Sequence, residues 1–358
     1  MSNKIEYQGV MTRAIAQVID NVVLFASLGL FHFVVFGTWI RHIPDVATFV
    51  ATDPICLSFL AVYFIYFIVL EGTVGATVGK LVCKIRVMIK KCPLITYFIL
   101  SFIITWSLAI LAIILELSIT ENPLLFLIGS CGPIFSAVII TGIAIGQSGI
   151  RELLSGWLNW RFDFKWYLVA LSPLVLGFIT VGIYHLLGGQ SPEAESYPTV
   201  SFILLTLLFA FLVGPLGEET GWRGFALPRL QTRFSAFTST LILGIIWSAW
   251  HIPLWFVPDS PQTEVPFGAF IIMCVSFSFL LTWAYNNSKG SILIAVLLHW
   301  CFNFTGSLIM PLGLIPPDIY FYTVAALYLV YAIVVIVVFG PTKLSRKPDF
   351  EMPFVREK

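Results

Sequence analysis

The run from Thr199 to Gly217 contains no charged residue, and Glu218-Glu219-Thr220-Gly221-Trp222-Arg223 closes it. A segment this long and this apolar can span the hydrocarbon of a bilayer, for which about 20 residues of helix suffice. Hydrocarbon offers no water to an unpaired N–H or C=O, so the backbone must satisfy itself, and here that means a helix. Two adjacent carboxylates at the end of such a helix are costly, because an ion loses its hydration there. A pair of this kind faces the protein interior, where it serves chemistry or transport.

The pattern recurs along the chain. Apolar segments at roughly 14–39, 53–72, 94–117, 123–145, 166–189, 199–219, 236–256, 266–286, 290–310 and 318–340 are each long enough to span. The expected fold class is therefore an all-α polytopic membrane protein with about ten transmembrane helices. Only 11% of the 358 residues are charged, against about a quarter in soluble domains, which excludes an ordinary soluble fold. If the N-terminus is cytoplasmic, Arg41 is the one residue among 20 Lys and Arg that falls on the outer side. That asymmetry predicts a multi-pass cell-membrane protein with both termini cytoplasmic. The net charge of +1 gives no reason to expect a nucleic-acid partner. The six cysteines (Cys56, Cys83, Cys92, Cys131, Cys274, Cys301) include no CxxC pair, which argues against a disulfide framework or a thiolate zinc site. The polar start through Thr12 runs into about 26 mostly apolar residues, too many for a signal-peptide core, so a retained first span is expected.

A short, basic, glycine-bearing stretch at 73–93 separates two units near Pro93. It reads either as a segment lying on the anionic inner leaflet or as a cytoplasmic loop that follows topology alone. The expected organisation is a two-span module over 1–92, an eight-helix domain over 93–340 and a charged, loosely ordered cytoplasmic tail over 341–358. In the first unit Arg13 and Asp20 lie two helical turns apart and share a face. With Glu71 and the run Gly75-Ala76-Thr77-Val78-Gly79-Lys80, residues 8–91 resemble the RDD family of small membrane modules. That resemblance implies an ion-transport or accessory role. An interfacial ion pair that fixes helix orientation is the favoured reading of Arg13 and Asp20.

The polar residues of the second unit concentrate in three helices. Glu219 and Arg223 stand at i,i+4 with the carboxylate first, the favoured order for a helical ion pair. Glu218 lies about 100° round the helix, outside that pair. Two carboxylates in different surroundings can divide into one acid–base group and one structural group. Trp247 and His251 are a turn apart, as are His299 and Asn303, so each pair shares a helix face. A histidine and an asparagine so placed can donate to a single oxygen, as an oxyanion hole requires. Singly, each residue has a plainer reading: Glu219–Arg223 as a structural pair, Asn303 as a helix bridge, and His32 and His185 as hydrogen-bonded packing residues.

Together, Glu218-Glu219-xxx-Arg223, Trp247-xxx-His251 and His299-xxx-Asn303 resemble the signature of the type II CAAX-prenyl endopeptidases. This intramembrane group also holds bacteriocin-processing and immunity proteins. The likeness spans about 94–340, including Gly132-Pro133 and Trp166-Tyr167-Leu168. Trp247 stands where phenylalanine is more usual, which keeps an aromatic wall. The resemblance implies that Glu218 and His251 activate a water, that His299 and Asn303 hold the oxyanion, and that Glu219 and Arg223 orient the catalytic carboxylate. It implies a peptide or lipidated-protein substrate within the membrane lipids. Glu218, His251 and His299 also form the donor set of a three-ligand zinc site. No cofactor is favoured, because HExxH is absent and Asn303 is a poor zinc ligand. The other readings are a non-catalytic immunity or peptide-binding protein and a proton-coupled transporter relaying through Glu218, Asp20 and Glu71. For Glu218 to meet His251, the sixth helix must extend towards Phe225 and the seventh must start beyond Phe237.

Overall fold

The computed structural model describes residues 89, 91–192 and 199–346. Arg13, Asp20, Glu71, His32 and the RDD-like stretch lie outside the described residues. The chain divides into two compact units, Met1–Lys91 and Cys92–Lys358, and the description below concerns the second.

Thirteen α-helices build the described part of this unit. They are α1 (Pro93–Ile114), α2 (Pro123–Ser130), α3 (Gly132–Ala144), α4 (Gln147–Ser155), α5 (Lys165–Ala170), α6 (Ser172–Leu186) and α7 (Val200–Leu212), then α8 (Pro215–Gly221), α9 (Leu227–Gln231), α10 (Ala236–Trp250), α11 (Phe267–Asn287), α12 (Ile292–Ile309) and α13 (Pro317–Phe339). Among the described residues six stretches are long and apolar enough to cross a membrane, or seven if α2 and α3 count as one bent span. The chain is an all-α polytopic membrane protein. Large apolar side chains cover its outside, among them Ile103, Leu205 and Val337, as lipid contact requires. Helix α11 is the exception. Buried over 72% of its most apolar window, it is the central rod, packed between α10 and α13.

Proline shapes the interruptions. Pro133 has no N–H for the carbonyl of Gly129 four residues back, and the Thr105 hydroxyl of α1 donates to that carbonyl instead at 2.8 Å. The chain bends by 44° there, between α2 and α3. The span expected over 166–189 is likewise two helices, parted at Leu171 just ahead of Pro173.

The stretch expected to be one helix over 199–219 departs most. Val213 is extended, and Gly214 adopts φ 104°, ψ −85°, a backbone that a side chain would oppose. The residue before a proline is disfavoured in helix, and Gly214-Pro215 breaks the rod there. The chain then restarts as α8, widens into a π-turn over Trp222–Ala226 and continues through α9 to Gln231. The expected extension past Phe225 is therefore present. The later start of the seventh helix is not, because α10 begins at Ala236. Ser235 caps it there, its hydroxyl accepting from the Thr238 N–H at 3.1 Å.

Small residues allow close approach where no hydrophobic driving force joins helices. At Gly217 an added Cβ would lie 2.9 Å from both Cys131 Cα and the Ser130 carbonyl oxygen. The start of the tail, expected to be loose, is folded. The carbonyls of Thr342 and Pro341 accept from the N–H groups of Ala236 and Phe237 at 2.8 and 2.9 Å, filling donors that every helix start leaves open. Asn286 and Asn287 donate to the carbonyls of Lys343 and Leu344, both at 2.8 Å.

Gly217→Ala therefore presses a methyl group into backbone, at a cost of about 1–3 kcal/mol. Gly182 of α6 has nothing within 4 Å of an added Cβ, and Gly182→Ala should hold or raise stability through helix propensity. Thermal unfolding in detergent should show a lower melting temperature for the first variant alone.

Candidate active site

The break at Val213-Gly214 places the first carboxylate. Because α8 restarts at Pro215, Glu218 falls in its first turn, where the partial positive charge of a helix N-terminus favours an anion. Glu219, Arg223 and Trp222 follow on the same stretch. Glu218 is 4% exposed, and Glu219 and Arg223 are 0% exposed, so each must find its partners inside the protein.

Arg223 Nη1 donates to Glu219 Oε1 at 3.0 Å, and Arg223 Nη2 donates to the Ser278 hydroxyl at 3.2 Å. His299 Nδ1 lies 2.8 Å from the same Glu219 Oε1. An ionised carboxylate can only accept, so Nδ1 carries the hydrogen of this bond and Nε2 is left free. The chain Ser278–Arg223–Glu219–His299 thus fixes the ring on α12. The resemblance implied that Glu219 and Arg223 orient the catalytic carboxylate, whereas their contacts here run to the His299 ring.

Glu218 is held separately. Trp247 Nε1 donates to Glu218 Oε2, a charge-assisted bond from α10 to α8. The Trp247 ring also meets His299 edge-on at 5.3 Å between centroids and His251 at 5.7 Å. The Arg223 guanidinium lies over it at 5.1 Å. At the end of α10, His251 Nδ1 donates to the carbonyl of Trp247 at 2.8 Å, which leaves Nε2 as a lone-pair acceptor.

Asn303 stands one turn after His299, and its Nδ2 lies 3.4 Å from the carbonyl of Val213, at the break. Gly214 shows how closely the groups converge. A Cβ built there would lie 3.1 Å from Glu218 Oε1, 3.1 Å from Asn303 Nδ2 and 3.8 Å from His299 Cε1. The hydrogen of Gly214 therefore faces a point on which the carboxylate, the amide and the imidazole edge all close. His251 joins the cluster through Trp247. The polar residues singled out in the second unit's three helices are thus gathered by the fold, whereas His185 is exposed and bonds the carbonyl of Gly189 at 3.0 Å. Ser278 and Gly214 were not expected as site components, and Trp247 was expected as an aromatic wall but not as a hydrogen-bond donor. Gly214-Pro215, a helix-breaking dipeptide beside the carboxylates, could have pointed to the second.

The zinc reading finds no support in the ligand geometry. Among the described residues no group of three or more His, Cys, Asp or Glu is placed to hold a metal ion.

A buried carboxylate, two imidazoles and an amide thus stand together among membrane-length helices. The family model for type II CAAX prenyl endopeptidase Rce1-like proteins matches residues 199–305. CAAX prenyl protease 2 of Methanococcus maripaludis is 30% identical over 229 residues, which cover 60% of this chain and 83% of that protein. The chain belongs to the Rce1-like family of type II CAAX prenyl endopeptidases and is an intramembrane endopeptidase of that kind. The sequence resemblance stated for the second unit holds.

Removing Glu219 would leave the Arg223 charge buried against a single hydroxyl. A buried pair broken on one side costs about 3–5 kcal/mol. Glu219→Ala should therefore melt well below the parent in detergent or fail to accumulate, and Ser278→Ala should lose far less. Thermal unfolding of the two variants reads the difference.

Proposed function

We propose that the chain hydrolyses a peptide bond close to the membrane, near the C-terminus of a lipidated, CAAX-like or membrane-associated peptide, by a glutamate-activated water. The observation that carries this is the convergence of Glu218 Oε1, Asn303 Nδ2 and the His299 ring on one point beside Gly214.

In this reading a water lies between Glu218 and the Nε2 lone pair of His251. Glu218 takes one proton as general base while His251 Nε2 accepts a hydrogen bond from the other hydrogen, which stays on the oxygen and aims it. The resulting hydroxide adds to the carbonyl carbon, and the carbonyl π electrons move onto oxygen. Asn303 Nδ2 donates to that oxyanion. The His299 ring, held at Nδ1 by Glu219, lies beside that oxyanion and donates to it when Nε2 carries a hydrogen. Collapse breaks the C–N bond, and Glu218 returns its proton to the departing amine. Glu218, His251, His299 and Asn303 thus act on the reacting atoms, and Glu219 and Arg223 act through His299. The relative from M. maripaludis is named a CAAX prenyl protease, which makes a prenylated C-terminal peptide the natural first substrate to offer. The near one-sided Lys and Arg distribution supports a cell-membrane protein with both termini in the cytoplasm and a site opening to that leaflet. Residues 1–92 fit a separate RDD-like module beside the protease domain of 93–340.

Purified full-length protein incubated with a fluorogenic farnesylated peptide should release fluorescence. Glu218→Gln should lower kcat by about 100-fold or more, the usual worth of a positioned base. A peptide-binding protein would retain the peptide without cleaving it, and a proton-coupled transporter would show pH-gradient-driven flux in proteoliposomes. A chelator should leave turnover unchanged, and its loss would overturn the metal-free step.

A further inference from the structure

Trp247 does more than wall the site. Its indole N–H is bonded to Glu218 Oε2, and its own carbonyl accepts from His251 Nδ1 at 2.8 Å. One buried residue, 2% exposed, therefore holds both members of the water-activating pair. We propose that Trp247 is a positioning residue, whose indole N–H turns the Glu218 carboxylate so that Oε1 faces the substrate point beside Gly214. This rests on the reading of Glu218 as the base.

Three observations support it. A carboxylate has two oxygens, and engaging Oε2 fixes which one remains for a proton. The free one, Oε1, is the atom that lies 3.1 Å from a Cβ at Gly214, alongside Asn303. Next, the Arg223 guanidinium stacked on the same ring at 5.1 Å draws electron density from the indole and makes its N–H a stronger donor. Finally, the ring cannot swing away from this bond. His251, His299 and Phe277 crowd it, with centroids at 5.7, 5.3 and 6.3 Å. A phenylalanine at this position would keep the wall and lose the donor, leaving Glu218 free to rotate.

The test is a double-mutant cycle on the full chain with the farnesylated fluorogenic peptide. Trp247→Phe should lower kcat on the order of 10- to 100-fold, as expected for losing a hydrogen bond to a charged group. KM should stay within about twofold and the melting temperature near the parent's, since binding and packing are retained. In the Glu218→Gln background, Trp247→Phe should change the residual rate by less than about twofold, because the group it positions is gone. If Trp247→Phe does not accumulate as folded protein, 3-benzothienylalanine at position 247 replaces it, keeping the bicyclic shape without the N–H. A kcat within twofold of the parent, beside an inactive Glu218→Gln, overturns the proposal and leaves Glu218 as the base. An equal loss in both backgrounds also overturns it, because the effect is then general packing. Full activity in Glu218→Gln brings down the assignment of Glu218 itself, and the proposal with it.

Discussion

A guanidinium with no exposure to solvent stands at the centre of this membrane domain, and much of the surrounding geometry answers its charge. Arg223 donates from Nη1 to Glu219 and from Nη2 to Ser278 of the central α11. Glu219 spends the same oxygen on His299 of α12. Three helices are thereby tied at one depth by a chain of donors and acceptors. Such a chain is worth more in hydrocarbon-like surroundings than in water, because the alternative for each member is an unpaired charge or dipole. Ion pairing and ring orientation are here one structural fact.

The second determinant is broken backbone. The break at Gly214-Pro215 and the π-turn at Trp222–Ala226 make the stretch Val200–Gln231 a jointed one. Irregular backbone at membrane depth is tolerated where it lines an interior cavity and its freed groups find partners. Asn303 approaches the carbonyl of Val213 at the first joint, and Arg229 Nη1 donates to the carbonyl of Phe225 near the second at 2.9 Å. Side chains of the enclosing helices and of the strand of helix itself thus offset the interruptions.

Fold class was legible because hydrocarbon imposes so strict a rule on composition. A chain with this few charges and so many runs near 20 residues has few alternatives. The chemistry-bearing residues were legible for the same reason: Glu218, Glu219, Arg223, His251, His299 and Asn303 stand out against apolar neighbours. Their connections were not. Pairing of Glu219 with Arg223 follows from i,i+4 spacing, but pairing with His299 depends on how α12 lies against α8, which no local pattern encodes. The donor role of Trp247 is hidden for another reason. Hydropathy treats an indole as apolar surface, although its N–H is a polar group that seeks an acceptor when buried. The start of α10 was misplaced because depth was inferred from an unbroken sixth helix. The packing of the first residues of the tail was not legible because it rests on backbone carbonyls, which carry no sequence signature.

The amides that begin α10 find their acceptors at Pro341 and Thr342, about a hundred residues later in the chain. A ribosome delivers α10, with Trp247 and His251 on it, long before it delivers those carbonyls. Until then two amides at the start of that helix lack these acceptors, and only the Ser235 cap serves it from nearby. A stretch late in the described chain thus closes the helix that carries Trp247 and His251, joining distant parts of the sequence into one domain.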